Sequence, residues 1–270
     1  MADRMSTEPL ATVGRTDIVA GLKQMGLAAN DVVIVHSSLS AFGKVTGGPA
    51  ALVDAVLEVA GPKGTVVFPT FTGVDIDKIS QDVTQLKPYT GAVPLVARDR
   101  GDFVVSRHPL YSICAKGPLA QELCELCDKY IFMSVEMKFI YRMGVYGGKV
   151  LLLGVTHKSN SAVHLVEEFS GVEYKVQDKA WWTLTVAEFT RLPQATQADM
   201  MDTHMGYKLP YRPIVHLDAI DAPMRKQGLI ATAKIGNAQC HLMKIMDIVR
   251  VGAEESARDP WFLCDKIGKA

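Results

Sequence analysis

The sequence lacks most of what would commit a chain to a polymer or a membrane. It has no net charge, because 29 Lys and Arg balance 29 Asp and Glu across 270 residues, and the balance holds in each half. A nucleic-acid binder would carry a basic patch or tail, and none is present. Long apolar runs are missing too. The longest stretch without Asp, Glu, Lys or Arg is Val32–Gly43, 12 residues, too short to span a bilayer. Residues 1–14 hold Asp3, Arg4 and Glu8 and no apolar segment of the kind a secretory signal needs. Cysteine is scarce: five residues, an odd number, which points to reduced thiols rather than a disulfide framework. Cys124 and Cys127 form one C-x-x-C, half a zinc site at most, in a segment that reads as helix. No repeat and no Gly/Ser/Pro linker divides the chain. The expectation is a cytoplasmic, small-molecule protein: an N-terminal tail over 1–14, then one domain over 15–270.

What is present is an α/β pattern. Thr16–Met25 reads as a helix stopped by Gly26. Asp31–His36, Gly64–Phe68 and Lys149–Gly154 are short β-branched or leucine-rich runs that read as buried strands. A helix from Gly47, with Pro49 in its first turn where a missing N–H is harmless, joins the first two strands. That makes a βαβ unit and predicts a parallel pair with a right-handed crossover. Further helices are expected at Leu119–Lys129, near Val135–Met143, from Asn160 or Ser161, and over Ala238–Val249. Trp181–Ala187 and Pro213–Leu217 read as short strand-like pieces.

Ligands of open α/β sheets gather at the carboxyl ends of strands, where loops and helix N-termini favour anions. Three segments there concentrate glycine and polar residues. In His36-Ser-Ser-Leu-Ser-Ala-Phe-Gly-Lys-Val-Thr-Gly-Gly48 neither the Walker order nor G-x-G-x-x-G is present. A phosphate-bearing ligand and an ordinary glycine turn both fit that segment. The second pairs Pro69-Thr-Phe-Thr-Gly73 with Ser106–Gly117, where Arg107-His108-Pro109 could clamp an anion or simply form a turn. The third runs from Leu153 to Glu168. If a helix starts near Asn160, His164 and Glu167 share a face. A carboxylate on one imidazole nitrogen fixes the tautomer and leaves the other free to take a proton. His157, seven residues before His164, completes no H-E-x-x-H metal spacing.

The same segments resemble the aminoglycoside 3-N-acetyltransferase family, also called the antibiotic N-acetyltransferase family. The resemblance is carried by Val35-His-Ser-Ser-Leu, Val45-Thr-Gly-Gly-Pro-Ala-Ala-Leu-Val-Asp-Ala, Gly61–Phe71, Arg107-His-Pro, Leu151-Leu-Leu-Gly-Val, Asn160-Ser161 with His164-Leu-Val-Glu167, and Lys234–Ala238. It implies a mixed, largely parallel central sheet flanked by helices, not the common N-acetyltransferase (GNAT) fold. It also implies an acyltransferase of the antibiotic-resistance kind, moving acetyl from acetyl-CoA to an amine, with no metal. Carried over, it makes His164 the general base and Glu167 the residue that orients it. It places coenzyme A on His36, Ser37, Ser38, Leu39, Phe42, Gly43, Val45, Thr70, Arg107, His108 and Ser112, and the acceptor on Thr72, His157 and Asn160. A small-molecule amine and coenzyme A are the expected partners, with a homodimer allowed.

The departures concern the acceptor. Phe132–Gly144 stands where the family has a Gly/Ser/Pro-rich turn, Leu95 follows Pro94 where an acid is usual, and Ser161 replaces a usual Thr. Aminoglycosides are polycations, and this chain is neutral. The 3-amino group of an aminoglycoside is the first expectation, and a biosynthetic amine is the alternative. Two rival readings remain: an acetyl-enzyme on Cys114, although its apolar surroundings read as a buried thiol, and a CoA-binding protein without catalysis, which would have no need of a poised base.

Overall fold

A computed structural model describes residues 12–72, 82, 85–131, 134–170, 172, 184–197, 200 and 215–265. In chain order the elements are β1 (Thr12–Val13), α1 (Arg15–Gln24), β2 (Val32–Ser37), β3 (Lys44–Val45), α2 (Gly48–Ala60), β4 (Thr65–Pro69), α3 (Ala92–Asp99), β5 (Val104–Val105), β6 (Ile113–Lys116), α4 (Ala120–Lys129), α5 (Ser134–Val145), β7 (Lys149–Leu153), α6 (His164–Phe169), α7 (Val186–Phe189), α8 (Asp221–Lys226), β8 (Ala231–Ile235), β9 (Ala238–Lys244) and α9 (Ile245–Arg258). Short 3-10 turns at Leu39–Phe42, His157–Ser159, Ser161–Val163 and Leu217–Ile220 link them. Thr12 and Val13, assigned from sequence to the tail, pair in parallel with Lys44 and Val45.

Seven strands form one sheet in the order β5-β6-β4-β2-β7-β9-β8. The sheet is mixed, as the family resemblance implies, but its parallel part is confined to the centre. β2 pairs in parallel with β4 and β7, while β6 and β9 pair antiparallel with β4 and β7 and continue outward to β5 and β8. The βαβ unit read from sequence is β2-α2-β4. Both faces of the central strands are buried, which explains their unbroken apolar composition. Val33, Val35, Leu151 and Leu153 face the layer of α1, α2 and α3. Ile34, Val150 and Leu152 face α4, α5, α6 and α9. Each fully buried Leu or Val contributes about 1.5–3 kcal/mol.

The expected helix over Ala238–Val249 is a correction. Ala238–Lys244 is strand β9, joined to β8 by the two-residue loop Gly236-Asn237, and the helix starts only at Ile245. Gly236 (φ +59°) takes the first loop position, where a left-handed residue suits a tight hairpin. Trp181–Ala187 is corrected as far as it is described, because Val186 opens helix α7 and only Thr185 makes a bridge, to Tyr130. Residues 181–183 lie outside the described part, as do 213–214 of the Pro213–Leu217 piece. Val215 bridges Cys264, and Leu217 opens a 3-10 turn.

Candidate active site

Because β2 and β7 are adjacent and parallel, their carboxyl ends deliver two loops to the same edge of the sheet. After β2 the chain runs through Ser38, a 3-10 turn and Gly43 (φ +88°) before reaching Gly47 and Gly48, both with positive φ. α2 then begins with Pro49 in its first turn and no side-chain cap, leaving its first N–H groups to a ligand or water. After β7 the chain turns at Gly154 (φ +70°). A Cβ there would lie 2.5 Å from the Ala41 Cβ and 3.3 Å from Ser38 O, so this glycine lets the two loops touch. Gly154→Ala is therefore expected to cost about 2 kcal/mol or more, the sum of a left-handed penalty and an overlap. Urea unfolding reads this directly, and an unchanged midpoint would exclude a tight loop contact.

The loop after β7 is built by its own polar residues. Thr156 Oγ1 accepts from Lys158 N, and Asn160 Oδ1 accepts from Ala162 N at 3.1 Å, capping the turn that feeds α6. Asn160 Nδ2 donates to His157 Nδ1 at 3.0 Å, and the Nε2 of His157 lies 3.6 Å from Asp221 Oδ1. His157 is buried, and desolvation lowers its pKa to about 4. Its ring is thus neutral and braces Asn160. On the next turn His164 Nδ1 meets Glu167 Oε2 at 2.7 Å. Glu167 is fully buried, whereas the His164 side chain is 22% exposed. The carboxylate fixes an Nδ1–H tautomer, which leaves Nε2 as the basic nitrogen.

These loops enclose a cavity of about 950 Å³, lined among others by His36, Ser37, Ser38, Leu39, Gly43, Val45, Gly48, Asn160 and His164. That volume suits a cofactor-sized ligand. Of its lining Lys, Arg, Asp and Glu side chains among the described residues, Lys158 stands alone, a balance suited to an anionic ligand.

Not every expected residue reaches the cavity. Phe42, Thr70, Thr72, Arg107, His108, Ser112, His157 and Glu167 are absent from its lining. Arg107 is exposed. His108 is buried with its ring fully engaged: Nδ1 accepts from the N–H groups of Leu110 and Tyr111, and Nε2 donates to Tyr130 O at 2.8 Å. Desolvation lowers its pKa to about 4. Thr70 Oγ1 lies 2.9 Å from Ser112 Oγ, and Thr72 Oγ1 donates to Pro109 O. These four residues join the turn after β4 to the turn before β6. They hold a wall rather than form one. The wall itself is Pro69, Phe71, Tyr89 and Tyr111, with Phe71 packed edge-on against Tyr111 at 5.6 Å. Phe71 and Tyr111 fall inside segments the sequence singles out, Pro69–Gly73 and Ser106–Gly117, without being marked there as site residues, and Tyr89 lies in a stretch with no motif.

Cys114 is buried on β6, and burial raises its pKa far above the thiol range, which removes a thiolate nucleophile. Cys124 and Cys127 are buried on α4, their thiols directed to Val104 O and Tyr111 O. No cluster of metal-ligating side chains exists among the described residues, and no described helix is long and apolar enough to cross a membrane.

Residues 34–255 match the family described as aminoglycoside 3-N-acetyltransferase. The chain is 24% identical over 247 residues to aminoglycoside N(3)-acetyltransferase IV of Salmonella sp, covering 91% of this chain and 88% of that protein. Its fold is similar to the crystal structure of the aminoglycoside acetyltransferase AAC(3)-IVa apoenzyme, with a TM-score of 0.76 at 22% identity over 95% of this chain and 93% of the other. It is also similar to AAC-IIIb in its binary complex with CoASH, with a TM-score of 0.68 at 18% identity over 92% and 98% of the two chains.

Proposed function

Since the chain belongs to the aminoglycoside 3-N-acetyltransferase family, we propose that it moves acetyl from acetyl-CoA directly to the 3-amino group of an aminoglycoside, with His164 as general base. The observation that carries this reading is the 2.7 Å contact between a partly exposed His164 and a fully buried Glu167, at a cavity that Gly48 of the α2 N-terminus also lines. A binding protein has no use for such a pair. Coenzyme A, the partner named for the AAC-IIIb complex, would set its phosphates against Gly43–Gly48 and run its pantetheine arm along Ser37 and Ser38 toward His164.

In the reaction the acceptor amine must be uncharged to attack the thioester. Nε2 of His164 takes the proton the amine sheds as the C–N bond forms, and Glu167 stabilises the imidazolium. When the tetrahedral adduct collapses, the C–S bond breaks and that proton passes to the leaving sulfur. Direct transfer needs no acetyl-enzyme, consistent with the protonated, buried Cys114.

Two measurements test this. Saturating coenzyme A should raise the melting temperature, by about 2.7 kcal/mol of added stability at 100 times Kd, and an unmoved curve would exclude the donor. Thiol release from acetyl-CoA should then require an aminoglycoside with a free 3-amino group. The neutral charge total favours keeping a simpler amine as the second reading. Turnover with such amines alone would select it.

A further inference from the structure

We propose that Lys158 is a specificity-determining residue for the acceptor: its ammonium selects amines by charge, against those with several ammonium groups and for those that carry a carboxylate. The inference rests on the acetyl-transfer reading and concerns only which amines that reaction takes. Within the aminoglycosides it favours members with few amino groups.

The position of Lys158 carries the argument. Among the described residues it is the only Lys, Arg, Asp or Glu side chain that lines the cavity. It belongs to the 3-10 turn His157–Ser159, in the loop from β7 to α6 that also brings Asn160 and His164 to that lining. The glycine-rich segment suited to the coenzyme A phosphates comes from the other loop, after β2. The backbone of Lys158 is held in place, because its N–H donates to Thr156 Oγ1 at 3.3 Å and to Asp218 Oδ1 at 3.1 Å. The turn Leu217–Ile220 packs against this one, and Leu217 lines the cavity as well.

The acids close in the fold are directed elsewhere. Asp218 holds the Lys158 N–H, Asp221 Oδ2 pairs with Arg225 Nε at 2.6 Å, and Glu167 meets His164. None of the three lines the cavity. Lys158 is exposed, and among the described residues its ammonium has no hydrogen bond or ion pair. A ligand carboxylate can therefore take that place, whereas a ligand ammonium meets a like charge. Over several ångströms at a partly solvated site, either interaction is worth about tenfold in affinity. Salt weakens it, since the screening length is about 8–10 Å. Lysine suits this task because its ammonium is a point charge on a flexible stem, reading charge rather than shape. Repelling the wrong ligand sharpens specificity as well as attracting the right one.

The test compares wild type with Lys158→Gln and Lys158→Glu, by calorimetric acceptor binding and by steady-state turnover with acetyl-CoA. The acceptors are an aminoglycoside rich in amino groups, one with few, and an ω-amino acid beside its methyl ester. Relative to wild type, the amino-rich aminoglycoside should bind about 10-fold tighter to Lys158→Gln and up to about 10²-fold tighter to Lys158→Glu. The gain should be smaller for the second aminoglycoside, appear in KM, and shrink at high salt. Wild type should prefer the ω-amino acid to its ester, and Lys158→Glu should reverse that order. Acceptor affinities equal within ~2-fold across the three proteins overturn the charge filter and leave acetyl transfer standing. Weaker coenzyme A binding by Lys158→Gln, with acceptor affinities unchanged, assigns the charge to the donor and overturns it too. A wild-type protein that binds no acetyl-CoA overturns the acetyl-transfer reading, whatever the acceptors do.

Discussion

Replacing His164 with alanine is expected to lower kcat by about 10²–10⁴-fold while leaving coenzyme A affinity nearly intact. An alkylammonium is mostly protonated at neutral pH, so the barrier includes removal of a proton, and a positioned base contributes roughly 3–5 kcal/mol to lowering it. The loss belongs in kcat because the interaction forms only as the amine attacks. Glu167→Gln should lose less, since an amide can still contact Nδ1 but leaves the imidazolium without a counter-charge. His157→Ala is the informative control. It removes the brace of Asn160 and opens a buried space, so it should destabilise by about 1–3 kcal/mol while affecting kcat less than His164→Ala. Steady-state kinetics alongside urea unfolding separate these outcomes. A larger kcat loss for His157→Ala would place the base on the wrong histidine.

The second large effect is acid sensitivity of the fold itself. Burial lowers the pKa values of His36 to about 3 and of His108 and His157 to about 4, against about 6.5 in an unfolded chain. Above pH 6.5 neither state binds these protons, and nothing is lost. Below it the unfolded chain takes up protons that the folded chain refuses, so stability falls with falling pH until about pH 4 for His108 and His157 and about pH 3 for His36. Each histidine removes roughly 2 kcal/mol by pH 5, or about 6 kcal/mol for the three. Domains of this kind are stable by about 5–15 kcal/mol, so most of the margin goes. Asp128, whose pKa burial raises, offsets part of the loss near pH 4. The urea midpoint should drop steeply between pH 7.5 and 5, and equal midpoints would mean that these rings are not buried neutral.

Much of the architecture was legible because its signals are local. β2, β4 and β7 are apolar runs too short for helices, and each is bounded by glycine, proline or polar residues. The failure at Ala238–Lys244 is equally physical. Its Leu and Met favour helix, and apolar residues at Leu242, Met243, Ile245, Met246, Ile248 and Val249 carry the pattern across Lys244 into α9. What makes it a strand is the open edge of β7, more than eighty residues away, which local periodicity cannot report. The His164–Glu167 pair was readable from a three-residue spacing on a helix. Arg107-His-Pro shows the converse limit, since a histidine that ties up a turn and one that grips a ligand look alike in sequence until the partners of both ring nitrogens are known. In the aromatic wall Tyr89 lies in no motif, and Phe71 and Tyr111, though inside the segments Pro69–Gly73 and Ser106–Gly117, look in sequence like ordinary core residues.

The pairing of β2 with β7 also bears on how the protein acquires activity. Val33 pairs with Lys149 and Ser37 with Leu153, and these contacts bring together the glycine-bearing loop after β2 and the loop after β7 that leads to His164. Contacts between residues so distant in the chain form slowly, because the intervening segment must be ordered before they return any free energy. Local elements such as α2, α4 and α9 can gain structure without them. On refolding, helical circular dichroism should therefore recover ahead of acetyl transfer, and the enzyme should stay silent until the last central strand has docked.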